Sequence, residues 1–478
     1  MDGPAALAFE GRSYTLPQLD ALTAGLAATL TARGVVPGSR VALMSSNRPE
    51  FVIAVLAIWR VGAAVVLISP AYKRSEVEHA LATTGADHAI GDSAVLAELM
   101  PMHSLDEPIE PVEATSAAIN CADQKLDSDA LLVFSSGTTG MPKAVRHSHR
   151  SFGAAVRHWR DALELTSDDR LQILTPPSHI LGILNVVTAL DTGAWVRLHR
   201  RFDLELMLRH IESDRITIEM AVAPIALALA SEPDLENYDL SSLRYIMWGA
   251  TPVTPSIAER VTGRTGVRWV PAYGASELPV ITCNPIDSPR LDSVGRAGAG
   301  VSLRVVSVET GRVLGAGEPG EIQARSESVM SGYLPAEANS DAFCDSWYRT
   351  GDIGTIDADG WVRLTDRSKE MIKVKGFQVA PAEVEAVLHG HRSVADCAVF
   401  GVPDAVTGEA IIAAVTVTDP GTDELVELAT ELTDLIGDRL AKYKRPSEVI
   451  FVSVIPRLPS GKVLRRVLKE RYGRSSDE

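Results

Sequence analysis

The sequence predicts an α/β protein. A large N-terminal domain of layered α/β subdomains carries a small antiparallel subdomain, and a small α+β C-terminal domain follows. Three observations carry this. The first ninety residues alternate helical and strand patterns, which is the signature of parallel layers covered by helices on both faces. From about Gly295 the texture changes to short strands with frequent glycines, as in antiparallel sheets. Beyond residue 365 the charge balance changes: residues 366–478 hold 16 basic and 18 acidic side chains in a chain of net charge −16. The boundary is therefore placed between domains 1–365 and 366–478.

The elements follow in order. Thr15 can cap a helix with Pro17 in its first turn; Leu19, Leu22, Leu26 and Leu30 then recur at helical spacing, and Gly34 stops it. Val41–Met44 reads as a strand, Pro49–Arg60 as a helix and Ala64–Ile68 as a strand. Ser75–Thr84 reads as a helix ended by Gly85. The rhythm continues through Ala130–Phe134, Arg215–Met220, Ala226–Ala230 and Ser242–Met247. Short strands are expected at Leu303–Val308, Glu321–Ala324 and Trp361–Leu364. The last unit has a helix near Pro381–Leu388, a strand at Ile411–Val417, a long helix at Asp423–Leu440 and a strand at Val449–Val454.

Composition excludes several classes. With 46% hydrophobic and 23% charged residues the 478-residue chain can build a full core. Its net acidity is wrong for sequence-independent grip on a nucleic acid. No two of Cys121, Cys283, Cys344 and Cys397 lie closer than 53 residues, which fits free thiols in a reducing, cytoplasmic location. The N-terminus has no basic region ahead of an apolar run, so no signal peptide is expected. Phe51 to Ile68 imitates a membrane span, but Arg60 and Gly62 interrupt it, and a buried helix followed by a buried strand is expected instead.

The chemistry concentrates in a few segments. Leu131–Phe134 is an apolar strand, followed by Ser135, Ser136, Gly137, Thr138, Thr139 and Gly140 and closed by Lys143. Glycines let backbone N–H groups approach a phosphate, while hydroxyls and an ammonium add donors. The common NTPase loop pattern is not met. This segment resembles the phosphate loop of the adenylate-forming superfamily: acyl-CoA synthetases, peptide-synthetase adenylation domains and firefly-type luciferases. Further segments match in order. They are Trp248-Gly249-Ala250-Thr251-Pro252, Tyr273-Gly274-Ala275-Ser276-Glu277, Tyr348-Arg349-Thr350-Gly351-Asp352, the run from Asp366 to Glu383, and Pro459-Ser460-Gly461-Lys462. The run from Asp366 is most similar to 4-coumarate–CoA ligases and luciferases, and the whole also resembles fatty acid–CoA ligases.

The resemblance implies roles. The loop residues with Gly249, Ala250, Thr251, Tyr273, Gly274 and Ser276 would bind ATP or AMP. Asp352 and Arg367 would hold the ribose, and Glu277 with Thr138 would serve Mg²⁺ at the phosphates. Lys462 would be the catalytic lysine, with Lys373 and Gln378 near the AMP and at the second step. Lys369 would be the hinge, near 366–369, about which a mobile C-terminal domain rotates. Lys375, Gly376 and Phe377 would meet coenzyme A, and the basic stretch from Lys442 could reach its phosphates. His179, Trp248 and Ala272 would shape the acyl pocket, Trp248 and Ala272 narrowing it where relatives carry smaller residues.

The chemistry needs such groups. At 4 Å, two like unit charges cost about 4 kcal/mol at an effective dielectric near 20, so joining a carboxylate to an α-phosphate requires cations at the moment of attack. The implied activity is an ATP-dependent acid–CoA ligase on an apolar aryl or medium- to long-chain acid. The alternatives are loading of a carrier protein, an acyl-AMP-dependent oxidation, and a non-catalytic nucleotide binder. The carboxylic acid, ATP and coenzyme A are the expected small-molecule partners. Lys462 also resembles sites silenced by acetylation in related synthetases, which makes it a candidate for a lysine acetyltransferase. Two other signals are set aside: Gly295–Gly300 reverses the dinucleotide fingerprint, and His147-Ser148-His149 reads as a loop beside the phosphate site.

Overall fold

The computed structural model describes residues 4–112, 126–135, 142–251, 254–367, 370–374, 377–404, 407–418, 425–458 and 461–473. Four sheets organise them. One has seven strands in the order Gly332–Leu334, Lys143–Ser148, Asp129–Ser135, Ala64–Leu67, Arg40–Met44, His88–Gly91 and Met102–Ser104. Its last five strands are parallel, and the first two add antiparallel at one edge. The parallel strands are apolar throughout, since both faces are covered: Val65, Val66, Leu131 and Leu132 are completely buried.

A nine-stranded sheet runs Arg296–Ala297, Thr282–Cys283, Trp269–Tyr273, Tyr245–Trp248, Ile218–Ala221, Arg170–Ile173, Trp195–Leu198, Ala5–Phe9 and Arg12–Thr15. The hairpin Ala5–Thr15 was not foreseen. Its inner strand lies parallel to Trp195–Leu198, a pairing between residues almost two hundred positions apart. One apolar cluster joins both large sheets through the helices Pro49–Arg60, His149–Leu163 and Ile180–Thr192. Pro49–Arg60 buries eight of its residues, which explains its resemblance to a membrane span. No helix among the described residues is long and apolar enough to cross a membrane.

Local signals act where the sequence placed them. Thr15 and Gln18 form a reciprocal cap on the helix Leu16–Ala32, and Gly34 follows it at φ +90°. The expected strand from Arg215 instead begins at Ile218, because Arg215 closes the preceding helix in the left-handed conformation. The His147-Ser148-His149 expectation is also corrected. Lys143–Ser148 is a strand and Ser148 caps the helix His149–Leu163, so this segment is not a loop.

The third sheet is antiparallel. Gly320–Arg325 lies between Ser302–Val306 and Trp347–Ile356, and Phe343–Cys344 and Val362–Arg367 both pair with the latter. The fourth sheet begins after Arg367, with Ile372–Val374, Phe377–Val379, Gly408–Val417, Val394–Asp404 and Glu448–Phe451. Its strand alternation serves two cores. Ile411, Ala413 and Val415 face the helices Pro381–His389 and Leu425–Arg439, while Ile412 and Ala414 face Leu468 of the helix Arg465–Tyr472.

Candidate active site

A cleft of about 620 Å³ opens where the two large sheets meet the small antiparallel sheet, with the C-terminal domain over it. Ser135 ends one strand and Lys143 begins the next, and the two residues are paired across the ladder. Both line the cleft. The intervening Ser136, Gly137, Thr138, Thr139 and Gly140 lie outside the described residues.

Glu277 lies on the cleft wall in a fixed place. The Tyr333 hydroxyl donates to its Oε1 at 2.8 Å, and the Met330 amide donates to its carbonyl at 2.7 Å. The Tyr333 ring lies 5.2 Å from the Lys143 ammonium, so one tyrosine touches the expected phosphate lysine and the expected metal carboxylate. His147 supports the same segment from below. Its ring Nε2 donates to the Ser276 carbonyl at 2.7 Å, and complete burial holds its pKa down at about 4, so the ring is neutral. Gly274 is required here: a Cβ on it would stand 2.1 Å from the Pro279 carbonyl oxygen.

On the opposite wall, the Tyr273 hydroxyl donates to Asp352, a nearly buried carboxylate whose backbone register faces Arg367. The side chain of Arg367 is outside the described set. Glu321 receives Arg349 Nε at 3.0 Å and the Gly351 amide at 3.2 Å, shaping the turn before Asp352. Burial, then the Glu277 carboxylate, pushes the Tyr348 phenol well above its ordinary range, so it stays protonated. Ala250 lines the cleft at φ +63°, an unusual conformation for a residue with a Cβ.

The inner end of the cleft is apolar: Trp159, Ile180, Leu181, Leu184 and Ala272 line it, beside His179. His179 precedes the helix Ile180–Thr192, and burial lowers its pKa, which favours the neutral ring. The placement of Trp248 on this wall is corrected. It is fully buried behind the sheet against Trp269, at 5.1 Å between rings, and donates its indole N–H to Thr251 Oγ1. Thr251 also accepts from the Ala223 amide, so its hydroxyl ties strand to helix.

The C-terminal domain contributes Lys462 to this cleft. Its Nζ lies 3.6 Å from Glu370, which Arg465 also engages at 2.6 Å. Lys373 and Phe377 are elsewhere. The Lys373 amide bonds Glu409 at 2.6 Å on an exposed hairpin, and Phe377, 54% exposed, stacks on Tyr443 at 4.5 Å. The backbone of Gln378 faces Lys373 across the same hairpin, its side chain being outside the described set. Lys369, Lys375 and Gly376 also lie outside the described residues. The structure thus gathers Ser135, Lys143, His179, Gly249, Ala250, Ala272, Tyr273, Gly274, Ser276, Glu277 and Lys462 around one space. Tyr333, Glu321 and His147 were not singled out as site residues by the sequence. Each acts through a partner distant in the chain, and no local pattern marks it.

A cleft floored by a loop-flanking lysine and a held carboxylate, and capped by a second domain's lysine, has counterparts among known proteins. Residues 2–334 match the family described as AMP-binding enzyme, and residues 383–462 match the AMP-binding enzyme C-terminal domain. The chain therefore belongs to the AMP-binding, adenylate-forming enzymes. It is 33% identical to 4-coumarate–CoA ligase 3 of Arabidopsis thaliana, across 96% of this chain and 87% of that one. It is 34% identical to 4-coumarate–CoA ligase 2 of Narcissus pseudonarcissus, over the same shares. Among solved structures, ATP-bound MatB from Rhodopseudomonas palustris superposes with a TM-score of 0.90 at 28% identity, covering 98% and 96% of the two chains. MenE from Bacillus subtilis, with ATP and a magnesium ion, gives 0.86 at 29% identity, covering 97% and 96%.

Proposed function

We propose that this chain is an ATP-dependent carboxylic acid–CoA ligase acting in two steps on an apolar aryl or medium- to long-chain acid. The observation that carries the reading is the presence of Lys462 in the cleft that also holds Glu277, Lys143 and an apolar inner end. In the first step a carboxylate oxygen attacks the α-phosphorus of ATP. The bond to the β-phosphate oxygen breaks, pyrophosphate leaves, and an acyl-AMP remains. Lys462 offsets the two approaching negative charges, and Lys143 stabilises the charge that builds on the departing phosphates. In the second step the thiolate of coenzyme A attacks the acyl carbon and AMP leaves, the thiol proton having passed to solvent.

The described donors suit Mg²⁺ carried on nucleotide phosphates. Among the described residues no cluster of three or more His, Cys, Asp or Glu side chains could cage a metal. A single carboxylate, Glu277, matches a hard cation that keeps phosphate and water ligands. When bound, the ion would neutralise phosphate charge, and Tyr333 would hold the Glu277 carboxylate oriented towards it.

The neutral His179 and the apolar Leu181, Leu184 and Trp159 support an uncharged acyl group, and Ala272 limits its depth. The test is a panel of aryl and aliphatic acids incubated with ATP, Mg²⁺ and coenzyme A, with pyrophosphate and thioester measured together. Equal, acid-dependent production of both is expected. Pyrophosphate without thioester would favour a different acceptor, such as a carrier protein. Neither product with any acid would overturn the ligase reading.

A further inference from the structure

We propose that Arg457, anchored by Asp396, is a positioning residue for Lys462, holding the turn that carries this lysine in the geometry needed for acyl-AMP formation. The inference rests on the ligase reading for its catalytic consequence, and on geometry alone for the clamp itself.

The turn is closed by its own backbone. The Leu458 amide donates to the Lys462 carbonyl and the Gly461 amide to the Leu458 carbonyl, both at 2.8 Å, and Arg457 bridges Val463 across it. The Leu464 amide also donates to the Pro456 carbonyl at 2.8 Å, completing the bridge at the base of the turn. Arg457 adds a side-chain hold to these backbone bonds. Its Nη1 donates to the Gly461 carbonyl at 2.8 Å. That oxygen belongs to the planar peptide joining Gly461 to Lys462, and the Leu458 amide holds the Lys462 carbonyl on the other side. With both flanking peptides held, the direction in which the Lys462 side chain leaves the backbone is set.

The guanidinium is itself held at its other edge. Nε and Nη2 reach the Asp396 carboxylate at 3.1, 2.7 and 3.0 Å, a fork that matches guanidinium geometry. Asp396 sits on the long strand Val394–Asp404, which pairs with Gly408–Val417 at the edge of the fourth sheet, and both side chains are mostly buried. His389 Nε2 lies 3.2 Å from the same carboxylate while its Nδ1 donates to the Glu385 carbonyl at 2.9 Å. Both ring nitrogens therefore donate, as an imidazolium does. Burial opposes the Asp396 charge, but His389 and Arg457 hold its carboxyl below the ordinary range. The anchor stays ionised at neutral pH.

The clamp also meets the large domain. Gly461 stands at φ +82°, where a Cβ would come within 2.8 Å of Pro224, and Asp396 and Arg457 line a crevice shared with Pro224 and Leu227. Gly461 is thus held on one side by packing against Pro224 and on the other by Arg457, and loss of Arg457 removes the side-chain hold that aims Lys462.

The experiment compares wild type, Arg457→Ala, Arg457→Lys and Asp396→Asn in two half-reactions, acid-dependent pyrophosphate release and conversion of synthetic acyl-AMP to thioester. Arg457→Ala should lower kcat of pyrophosphate release roughly 10- to 100-fold with KM for ATP and acid unchanged, since a displacement near 1 Å costs about that much. Its thioester step should stay at the wild-type rate. Arg457→Lys, which cannot fork to both partners, should fall between. Asp396→Asn keeps the volume and gives a second route if Arg457→Ala does not fold. Hydrogen exchange of the ligand-free full chain reads the clamp without activity: residues 457–464 should take up deuterium faster in each variant than in wild type. Unchanged exchange and pyrophosphate release would overturn the proposal, as would equal loss in both half-reactions. A wild type inactive with every acid would overturn the ligase reading, while the exchange result would still decide the clamp.

Discussion

Tyr333 is the residue whose contacts say most about the cleft. Its hydroxyl fixes Glu277 and its ring faces Lys143, so a single phenol sets the spacing between a carboxylate and a cation. A hydrogen bond to a charged group contributes about 1.5–3 kcal/mol. Tyr333→Phe should therefore slow pyrophosphate release roughly 10- to 100-fold while leaving the fold intact. Steady-state kinetics with the preferred acid checks this, and an unaltered rate would remove Tyr333 from the site. Glu277 was legible in the sequence because it sits inside a five-residue motif. Tyr333 was not, because it acts from 56 positions away through the pairing of Gly332–Leu334 with Lys143–Ser148. His147 was misread for the same reason: its partner, Ser276, lies 129 positions on.

At the scale of elements, helices with local punctuation were legible and edge pairings were not. Thr15, Pro17 and Gly34 bound one helix by chemistry within a few residues of its ends. The hairpin Ala5–Thr15 gains its place from Trp195–Leu198, which no window around residue 10 contains. Trp248 shows the limit of reading a motif without its strand. It belongs to Tyr245–Trp248, buried on every residue, and so packs into a core rather than lining the cleft. The strands Arg170–Ile173 and Ile218–Ala221 also bury Glu219, whose Oε2 accepts from Gln172 Nε2 at 2.5 Å, with His199 behind the same Gln172. Burial raises the Glu219 pKa to about 8, against an ordinary 4.5. A folded pKa above the unfolded one stabilises the protein fully below pH 4.5, and that contribution is lost as pH rises towards 8. Glu219→Gln should therefore raise Tm more at pH 8 than at pH 5, as read by thermal denaturation at the two values. An equal change at both would show that Glu219 is ionised in the fold.

The whole molecule divides its charge as it divides its sheets. The last 113 residues are nearly balanced, and within them the stretch 442–474 has ten basic residues against two acidic. That basic end brings Lys462 to an otherwise acidic body. With Lys462 in the cleft, Lys373 and Phe377 lie on an exposed hairpin away from it. If one cleft is to serve two half-reactions, the C-terminal domain must exchange these faces, and Lys369 is the expected hinge. Lys369→Pro should leave acyl-AMP formation near the wild-type rate and suppress thioester formation, because proline fixes φ at the pivot. Equal loss of both steps, measured separately, would contradict a rotating domain.

The central claim is that Lys462 activates a carboxylate at this cleft. Acid-dependent exchange of labelled pyrophosphate into ATP, comparing wild type with Lys462→Ala, tests it most directly. The wild type should exchange with its preferred acid, and the variant should lose the exchange while still converting synthetic acyl-AMP to thioester. Full exchange in the variant would take Lys462 out of the chemistry.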